Sequence, residues 1–188
     1  LTGVCGAWID SIPVIFLSGQ VTSNTLIDNT GLRQFGIQES NIVNIINSVT
    51  KYAVTIRDPN QVKYHLQKAI HLATSGRPGP VWLDLPLDIQ SKLITPDECI
   101  SYEPEKKKVP TKNTLKKQVS DCIQFLRNSK RPALISGYGI RLAKGESDFL
   151  NLVERLGIPI ISSWTTSDLI PSSHELCIGR SGIFGDRA

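Results

Sequence analysis

The 188-residue chain has no methionine, three histidines and only 6% aromatic residues. Its four cysteines, Cys5, Cys99, Cys122 and Cys177, form no C-x-x-C pair. This spacing supports neither a zinc site nor a disulfide framework, and the four read as free thiols. His65 and His71 stand six apart on an expected helix, so they do not share a face as i, i+4 metal ligands would. His174 stands by itself in an expected loop. No metal ligand is assigned to any of them. No apolar run approaches the roughly 20 residues that cross a bilayer. No leader pattern is read before Gly3-Val4, so no membrane partner and a cytoplasmic location are expected.

What is present is an ordinary globular composition, 40% hydrophobic and 20% charged, in a length that suits one medium domain or two incomplete ones. The net charge of +4 comes largely from Lys106, Lys107, Lys108, Lys112, Lys116 and Lys117. No aromatics are interleaved with them, so this run reads as a solvated linker rather than a nucleic-acid patch. The chain opens in mid-pattern and ends at Asp186-Arg187-Ala188 without a closing element, which suggests a piece of a longer protein.

Apolar runs and helical periodicities alternate along the chain. Gly3 to Asp10 reads as the tail of a helix, with Gly6 and Ala7 small enough for close packing. Pro13 to Ser18 reads as a buried strand, and Val21 to Gly36 as a long polar loop of the kind that often carries function. Ser40 can cap a helix bearing Ile42, Val43, Ile45, Ile46 and Val49, and Tyr52 to Ile56 is the next strand. Asp58-Pro59 starts a helix to about Ser75, with Val62, Leu66, Ala69 and Ala73 on its inner face and Lys63 and Lys68 outside. Gly76-Arg77-Pro78-Gly79-Pro80 stops that helix. Val81 to Leu85 then forms a strand covered on both faces, closed by Pro86.

Residues 93–113 are polar and lysine-rich and read as a linker between a first domain, 1–92, and a second, 114–188. In the second, Thr114 can cap a helix with Leu115, Val119, Cys122, Ile123 and Leu126 inside. Strands are expected at 133–136 and 158–162, joined by a helix with Phe149, Leu150, Val153 and Leu156 that ends at Gly157. Alternating strands and helices predict parallel-sheet three-layer α/β/α units, with ligands at the carboxyl ends of the strands. Gly137-Tyr138-Gly139 stands at such an end and is half of a G-x-G-x-x-G turn, whose third glycine is here Leu142. By itself it is compatible with a plain tight turn. The second informative stretch, Gly31 to Glu39, gathers Arg33, Gln34, Gln38 and Glu39 before a helix.

The ordered set resembles the thiamine diphosphate enzymes of the acetolactate synthase large-subunit type. It comprises Gly3-Val4 to Ser11-Ile12-Pro13, Ser18-Gly19-Gln20-Val21, Gln38-Glu39, Thr50-Lys51-Tyr52, Thr74 to Pro80, Asp84 to Asp88, Pro132 to Gly139, Gly157-Ile158-Pro159 and Gly179-Arg180. The resemblance covers essentially the whole chain. It implies that residues 1–92 are the end of a pyrimidine-binding domain and that 114–188 belong to a Rossmann-like central domain. It also implies thiamine diphosphate and Mg²⁺ as cofactors, 2-keto acids as substrates, a decarboxylating carboligation in branched-chain amino acid biosynthesis, and a homodimer or tetramer. Gln38 matches the family's substrate-facing glutamine. Ile37, Leu87 and Arg33 then line the substrate pocket. Arg77, Gly137, Tyr138, Gly139, Ser163 and Trp164 match positions that contact flavin adenine dinucleotide in flavin-containing relatives.

Three departures bear on the details. The family's lysine after the proline is Leu87, its phenylalanine is Ile37, and its methionine-histidine-glycine turn is Gly179-Arg180-Ser181-Gly182. They leave the flavin and the substrate pair open, and Leu87-Asp88-Ile89-Gln90 looks more like glyoxylate carboligase or a related lyase. The activating glutamate and the Mg²⁺-holding element of the family are expected outside this chain, which should be inactive by itself. A stand-alone nucleotide-binding module and an assembly domain are the readings from other classes.

Overall fold

The computed structural model describes residues 1–28, 30–105 and 111–182, and the chain divides into two units, Leu1–Lys107 and Lys108–Ala188. Lys106, Lys107 and Lys108 of the expected linker, and the terminal Asp186-Arg187-Ala188, lie outside the described residues. Both units are parallel α/β structures.

The first unit runs α1 (Thr2–Ile9), β1 (Ile15–Gln20), α2 (Ile42–Ile46), β2 (Tyr52–Thr55), α3 (Val62–Thr74), β3 (Val81–Pro86) and α4 (Leu87–Gln90). Its sheet has the order β1-β3-β2, all parallel, so β3 lies in the middle. The unbroken apolar run of β3 has its reason there: Val81, Leu83, Asp84 and Pro86 are buried. Val81 and Leu83 form the core with Ile56, Ala69, Ala73 and Ile89. The turn before β3 is built as its residues dictate. Gly76 takes a left-handed φ of +63°, a Cβ at Gly79 would come within 3.1 Å of the Lys51 side chain, and Lys51 Nζ donates to the carbonyls of Ser75 and Arg77 at 2.6 and 2.8 Å.

Several expectations need correcting. β1 is an edge strand and buries one face only; Leu17 is 66% exposed. Asn41, not Ser40, caps α2, accepting from Asn44 N, and α2 is five residues long. A Cβ at Gly6 would meet nothing within 4 Å, so the close approach read into it is absent, although Ala7 is buried.

Asp58 and Pro59 open a short 3₁₀ turn before α3, with Asp58 accepting from Asn60 N. The buried face of α3 is rotated from the expected one: Ala69 and Ala73 are buried, but Leu66 is 41% exposed and Lys63 and Lys68 are half-buried. The cause is an aromatic cluster on the other side. Lys68 Nζ lies 4.8 Å from the centre of the Tyr52 ring, and Tyr52 Oη sits 2.6 Å from His65 Nδ1. Tyr64 meets His65 and Tyr102 edge-on at 5.2 and 5.5 Å. Lys63 Nζ donates to Pro96 O and Tyr102 N to Gln67 Oε1, so residues 96–102 are tied to α3.

The second unit runs α5 (Lys112–Asn128), β4 (Leu134–Ser136), α6 (Gly139–Leu142), α7 (Glu146–Leu156), β5 (Ile160–Ser162) and β6 (Cys177–Arg180), with strand order β4-β5-β6, all parallel. β4 and β5 are adjacent as expected, Leu134 opposite Ile160. Gly157, at φ +58°, ends α7, and Val153, Ile160 and Ile170 form the core. Thr111, not Thr114, caps α5, its hydroxyl accepting from Thr114 N. Leu115, Val119, Cys122 and Ile123 are exposed, against expectation, and only Leu126 of that stripe is half-buried. Periodicity identifies an apolar stripe but not what covers it. His174, expected to be alone, pairs its Nε2 with Glu154 Oε1 at 3.0 Å.

Two measurements check this packing. Ile56 is fully buried, so Ile56→Ala should lower unfolding stability by about 2–5 kcal/mol, whereas Leu66→Ala should cost under about 1 kcal/mol. Equal losses in urea unfolding would contradict the rotated face. Burial, and then nearby Tyr64, push the Tyr52 phenol up to about 12. An unfolded phenol titrates near pH ~10, so the unfolded chain alone loses this proton in between. The stability from Tyr52 is therefore complete below that lower value and falls as pH rises toward about 12. Tyr52→Phe should remove this part of the alkaline destabilisation.

Candidate functional site at the carboxyl ends of the strands

The first unit opens a cleft of about 460 Å³ at the carboxyl end of its sheet. Gln20, Thr55 and Asp84, from the ends of β1, β2 and β3, line it together with Leu26, Asp28, Glu39, Ser40, Asn44 and Arg57. Its fixed point is Asp84, 1% exposed on the central strand. The register sets Ser18 on one side of it and Thr55 on the other. Ser18 Oγ donates to Asp84 Oδ1 at 2.5 Å, and Thr55 Oγ1 and Gln20 Nε2 donate to Oδ2 at 3.1 Å each. Trp82 Nε1 donates to Ser18 Oγ at 2.7 Å, which completes the network. A buried carboxyl group with every oxygen engaged is tolerated; one left unpaired is costly.

Over this floor runs the loop between β1 and α2, held by carboxylates at both ends. Near its start, Ser23 donates from its N–H, at 2.8 Å, and from its hydroxyl to Asp88. The Ser23 hydroxyl, followed by its N–H, holds the Asp88 carboxyl below the ordinary aspartate value. Near the far end, Glu39 accepts from the backbone N–H groups of Ile27, Phe35 and Gly36. Burial opposes ionisation of Glu39, but these three donors outweigh it and hold the carboxyl below its ordinary value. Arg57 forms a two-pronged pair with Asp28 on the cleft rim, where both side chains are about half exposed and the pair adds little stability.

The sequence-predicted pocket residues fall on this edge. Arg33, Ile37 and Gln38 lie in the loop after β1, and Leu87 begins α4 directly after β3. Ile37 is 89% and Leu87 60% exposed. Gln38 is exposed, with a left-handed φ of +60°, and neither it nor Arg33 makes a hydrogen bond to any described residue. Sequence reasoning passed over the structural roles of Asp84, Asp88 and Glu39. All three stood in the motif stretches, and a carboxylate beside a long loop rich in backbone donors was the signal available.

Arg77 lines a different cleft of the first unit, about 410 Å³, with Trp8, Ile9, Lys51 and Pro78. Its Nε donates to Ser11 Oγ at 2.7 Å. The other expected cofactor residues, Gly137, Tyr138, Gly139, Ser163 and Trp164, come together in the second unit, just beyond the carboxyl ends of β4 and β5. There Ser163 N donates to Ser136 O at 3.1 Å, and the buried hydroxyls of Ser136 and Thr166 meet at 2.9 Å. The buried Ser162 Oγ has no hydrogen-bond partner. A Cβ at Gly137 or Gly139 would meet nothing within 4 Å, so the turn's backbone borders open space. Gly182 differs: at φ +143°, a Cβ there would reach 2.6 Å from Trp164 Nε1, so the residue is held to glycine. An orphan hydroxyl, two open glycines and the exposed indole of Trp164 fit a dinucleotide at this edge. Among the described residues no group of three or more His, Cys, Asp or Glu side chains could hold a metal ion. No helix among the described residues is long and apolar enough to cross a membrane.

The Glu39 clamp has a direct test. Glu39→Gln keeps one acceptor oxygen and leaves donors of Ile27, Phe35 or Gly36 unpaired. Proteolytic cleavage within residues 27–38 should rise about tenfold or more, while cleavage elsewhere in the first unit is unchanged. Unaltered cleavage of the loop would show that other contacts hold it.

Known proteins are similar along the whole chain. Residues 119–188 match the family model of the thiamine pyrophosphate enzyme central domain. The acetolactate synthase large subunit of Lactococcus lactis is 31% identical over 192 residues, covering 100% of this chain and 32% of the relative. Acetolactate synthase isozyme 3 large subunit of Escherichia coli K12 is 33% identical over 190 residues, covering 98% of this chain and 31% of the relative. The acetolactate synthase large subunit of Corynebacterium glutamicum is 32% identical over 190 residues, covering 98% of this chain and 28% of the relative. The chain thus spans about a third of the length of the curated relatives it matches. Over its whole length the chain is thus similar to about a third of the length of acetolactate synthase large subunits, and residues 119–188 match the thiamine pyrophosphate enzyme central domain.

Proposed function

We propose that this chain serves a thiamine diphosphate-dependent carboligase that decarboxylates a 2-keto acid and joins the remaining fragment to a second carbonyl compound. The observation that carries this reading is similarity to acetolactate synthase large subunits across both units. In this reading residues 1–92 are the end of the pyrimidine-binding domain, 93–113 connect, and 114–188 belong to the central domain. When bound, thiamine diphosphate would supply the nucleophilic and electron-accepting chemistry of the decarboxylation. This chain's part is to present Gln38 to the reacting substrate, with Arg33, Ile37 and Leu87 shaping the pocket. Mg²⁺ and the diphosphate are held by residues outside those described. The flavin-like cleft of the second unit uses Gly137, Tyr138, Gly139, Ser163 and Trp164 toward a dinucleotide. The working protein is a soluble homodimer or tetramer with 2-keto acids as its small-molecule partners.

Leu87 favours a second reading of the acceptor. An ammonium at this position would offer a keto-acid carboxylate a charge-assisted hydrogen bond. Leu87 offers none, and Arg33, in the same loop as Gln38 and without a partner among the described residues, is the candidate cation. An acceptor of the glyoxylate carboligase type, or another aldehyde, is consistent with this.

The test is a product assay on the full-length enzyme with thiamine diphosphate and Mg²⁺. The wild type should release CO₂ from a 2-keto acid but form acetolactate from pyruvate slowly, and Leu87→Lys should raise that rate. Acetolactate at roughly 10 s⁻¹ from the wild type, an ordinary turnover, would show that Leu87 is no obstacle. Failure to release CO₂ from pyruvate, 2-ketobutyrate and glyoxylate alike would overturn the carboligase reading.

A further inference from the structure

We infer that Asp84 and Gln20 form a positioning pair that fixes the conformation of Gln38 from beneath, without touching substrate. This rests on the reading that Gln38 faces the reacting substrate. Ser18 and Thr55, directly opposite Asp84 in the register, engage one carboxyl oxygen each and tie it to both neighbouring strands. The third donor, Gln20, does something the other two do not: it leaves the sheet. Its Nε2 is shared between Asp84 Oδ2 at 3.1 Å and the carbonyl of Ser40 at 3.0 Å, and its Oε1 accepts from Val21 N at 3.0 Å. The amide orientation is thereby fixed, because Asp84 can only accept from the NH₂ end.

These contacts bracket Gln38. On its carboxyl side, two residues away, the Ser40 carbonyl is held by Gln20. On its amino side, two residues away, Gly36 is pressed on Val21, where an added Cβ would lie 2.8 Å from a Val21 methyl carbon. Val21 is itself fixed through its N–H by the same Gln20 side chain. Gln38 takes a left-handed φ of +60°, a conformation that a non-glycine residue keeps only when its surroundings over-determine it. Its own side chain makes no hydrogen bond to a described residue, so its direction is set by the backbone alone. Glu39 gathers the loop's amides, and the Asp84–Gln20 pair anchors that loop to the sheet.

Gln20 is the residue to change, because it is half-buried and its removal leaves the core intact. In this chain, Gln20→Ala should raise hydrogen exchange at the Phe35, Gly36 and Glu39 amides about tenfold or more, with the β3 amides of Leu83 and Leu85 within about twofold. Asp84→Asn, where it folds, should move the same loop amides. A rise shared equally with β3 would mean general destabilisation, and an unchanged loop would mean no linkage; either overturns the inference. The full-length enzyme supplies a readout that a structural role would not move. Gln20→Ala should lower kcat more than it raises KM, and this loss should largely vanish when Gln38→Ala is already present. Independent, multiplicative losses would overturn the positioning role and leave the carboligase reading intact. If Gln38→Ala loses nothing although the enzyme releases CO₂, the substrate-facing role of Gln38 and the inference fall together.

Discussion

A carboxyl group in the middle of a parallel sheet is stable only if each of its oxygens is engaged, and in this chain Asp84 is engaged by three side chains. Much of the first unit depends on that condition. Ser18 must face inward on β1 and Thr55 on β2, which fixes the facing of both strands against β3, since a slip of one residue would turn their side chains to the opposite face. The inward face of β1 then carries Phe16, Ser18 and Gln20, and its outward face the exposed Leu17. Phe16 stacks on Trp82 at 5.2 Å, and Trp82 donates to Ser18, so the polar network and the aromatic pair share one register. The polar floor of the cleft is thus a consequence of how the sheet is assembled.

The loop above that floor follows a different rule. It has few backbone partners of its own, and its amides are gathered by side-chain carboxylates instead, Asp88 near the start and Glu39 near the end. Both anchors are ionised through and well below neutral pH, because the N–H and hydroxyl donors that they hold in turn stabilise their charge. Such a loop is ordered at its ends and presents its tip outward. Ile37 and Gln38 are exposed at that tip, between neighbours that are tethered.

How much of this was legible in the sequence depended on whether the determining partner was local. The glycine-proline turn and β3 could be read outright, because Pro and Gly act on their own backbone and a continuous apolar run requires cover on both faces. The adjacent parallel pair β4 and β5 could also be read, from the strand–helix–strand order. The face of α3 could not. Ala69 and Ala73 are buried as their spacing implies, but the rotation that exposes Leu66 comes from Tyr52 and Tyr102, distant in sequence. The stripe on α5 shows the same limit, since Leu115, Val119 and Ile123 have the right period and no described cover. At the candidate site, the pocket residues were nominated by resemblance. The carboxylates that hold them were missed, because an Asp or Glu near a loop reads as solvated until its donors are located.

The two carboxyl edges differ in what they leave free, and that difference bears on the chemistry each can do. In the first unit the donors and acceptors beneath the loop are already matched: Asp84 with Ser18, Thr55 and Gln20, and Glu39 with three amides. In the proposed reading a ligand there gains new hydrogen bonds from the loop's outward residues, Gln38 and Arg33, and from little beneath them. In the second unit the balance is reversed. Ser162 keeps a buried hydroxyl without a partner, and Gly137 and Gly139 leave backbone bare beside open space. Unmatched buried polar groups favour whatever can match them, and a backbone without side chains admits a group as bulky as a phosphate. In the proposed reading the first edge orients a small reacting molecule through one or two side chains, and the second holds a larger cofactor through its backbone. An enzyme whose cofactor carries the difficult chemistry needs both of these services from its protein.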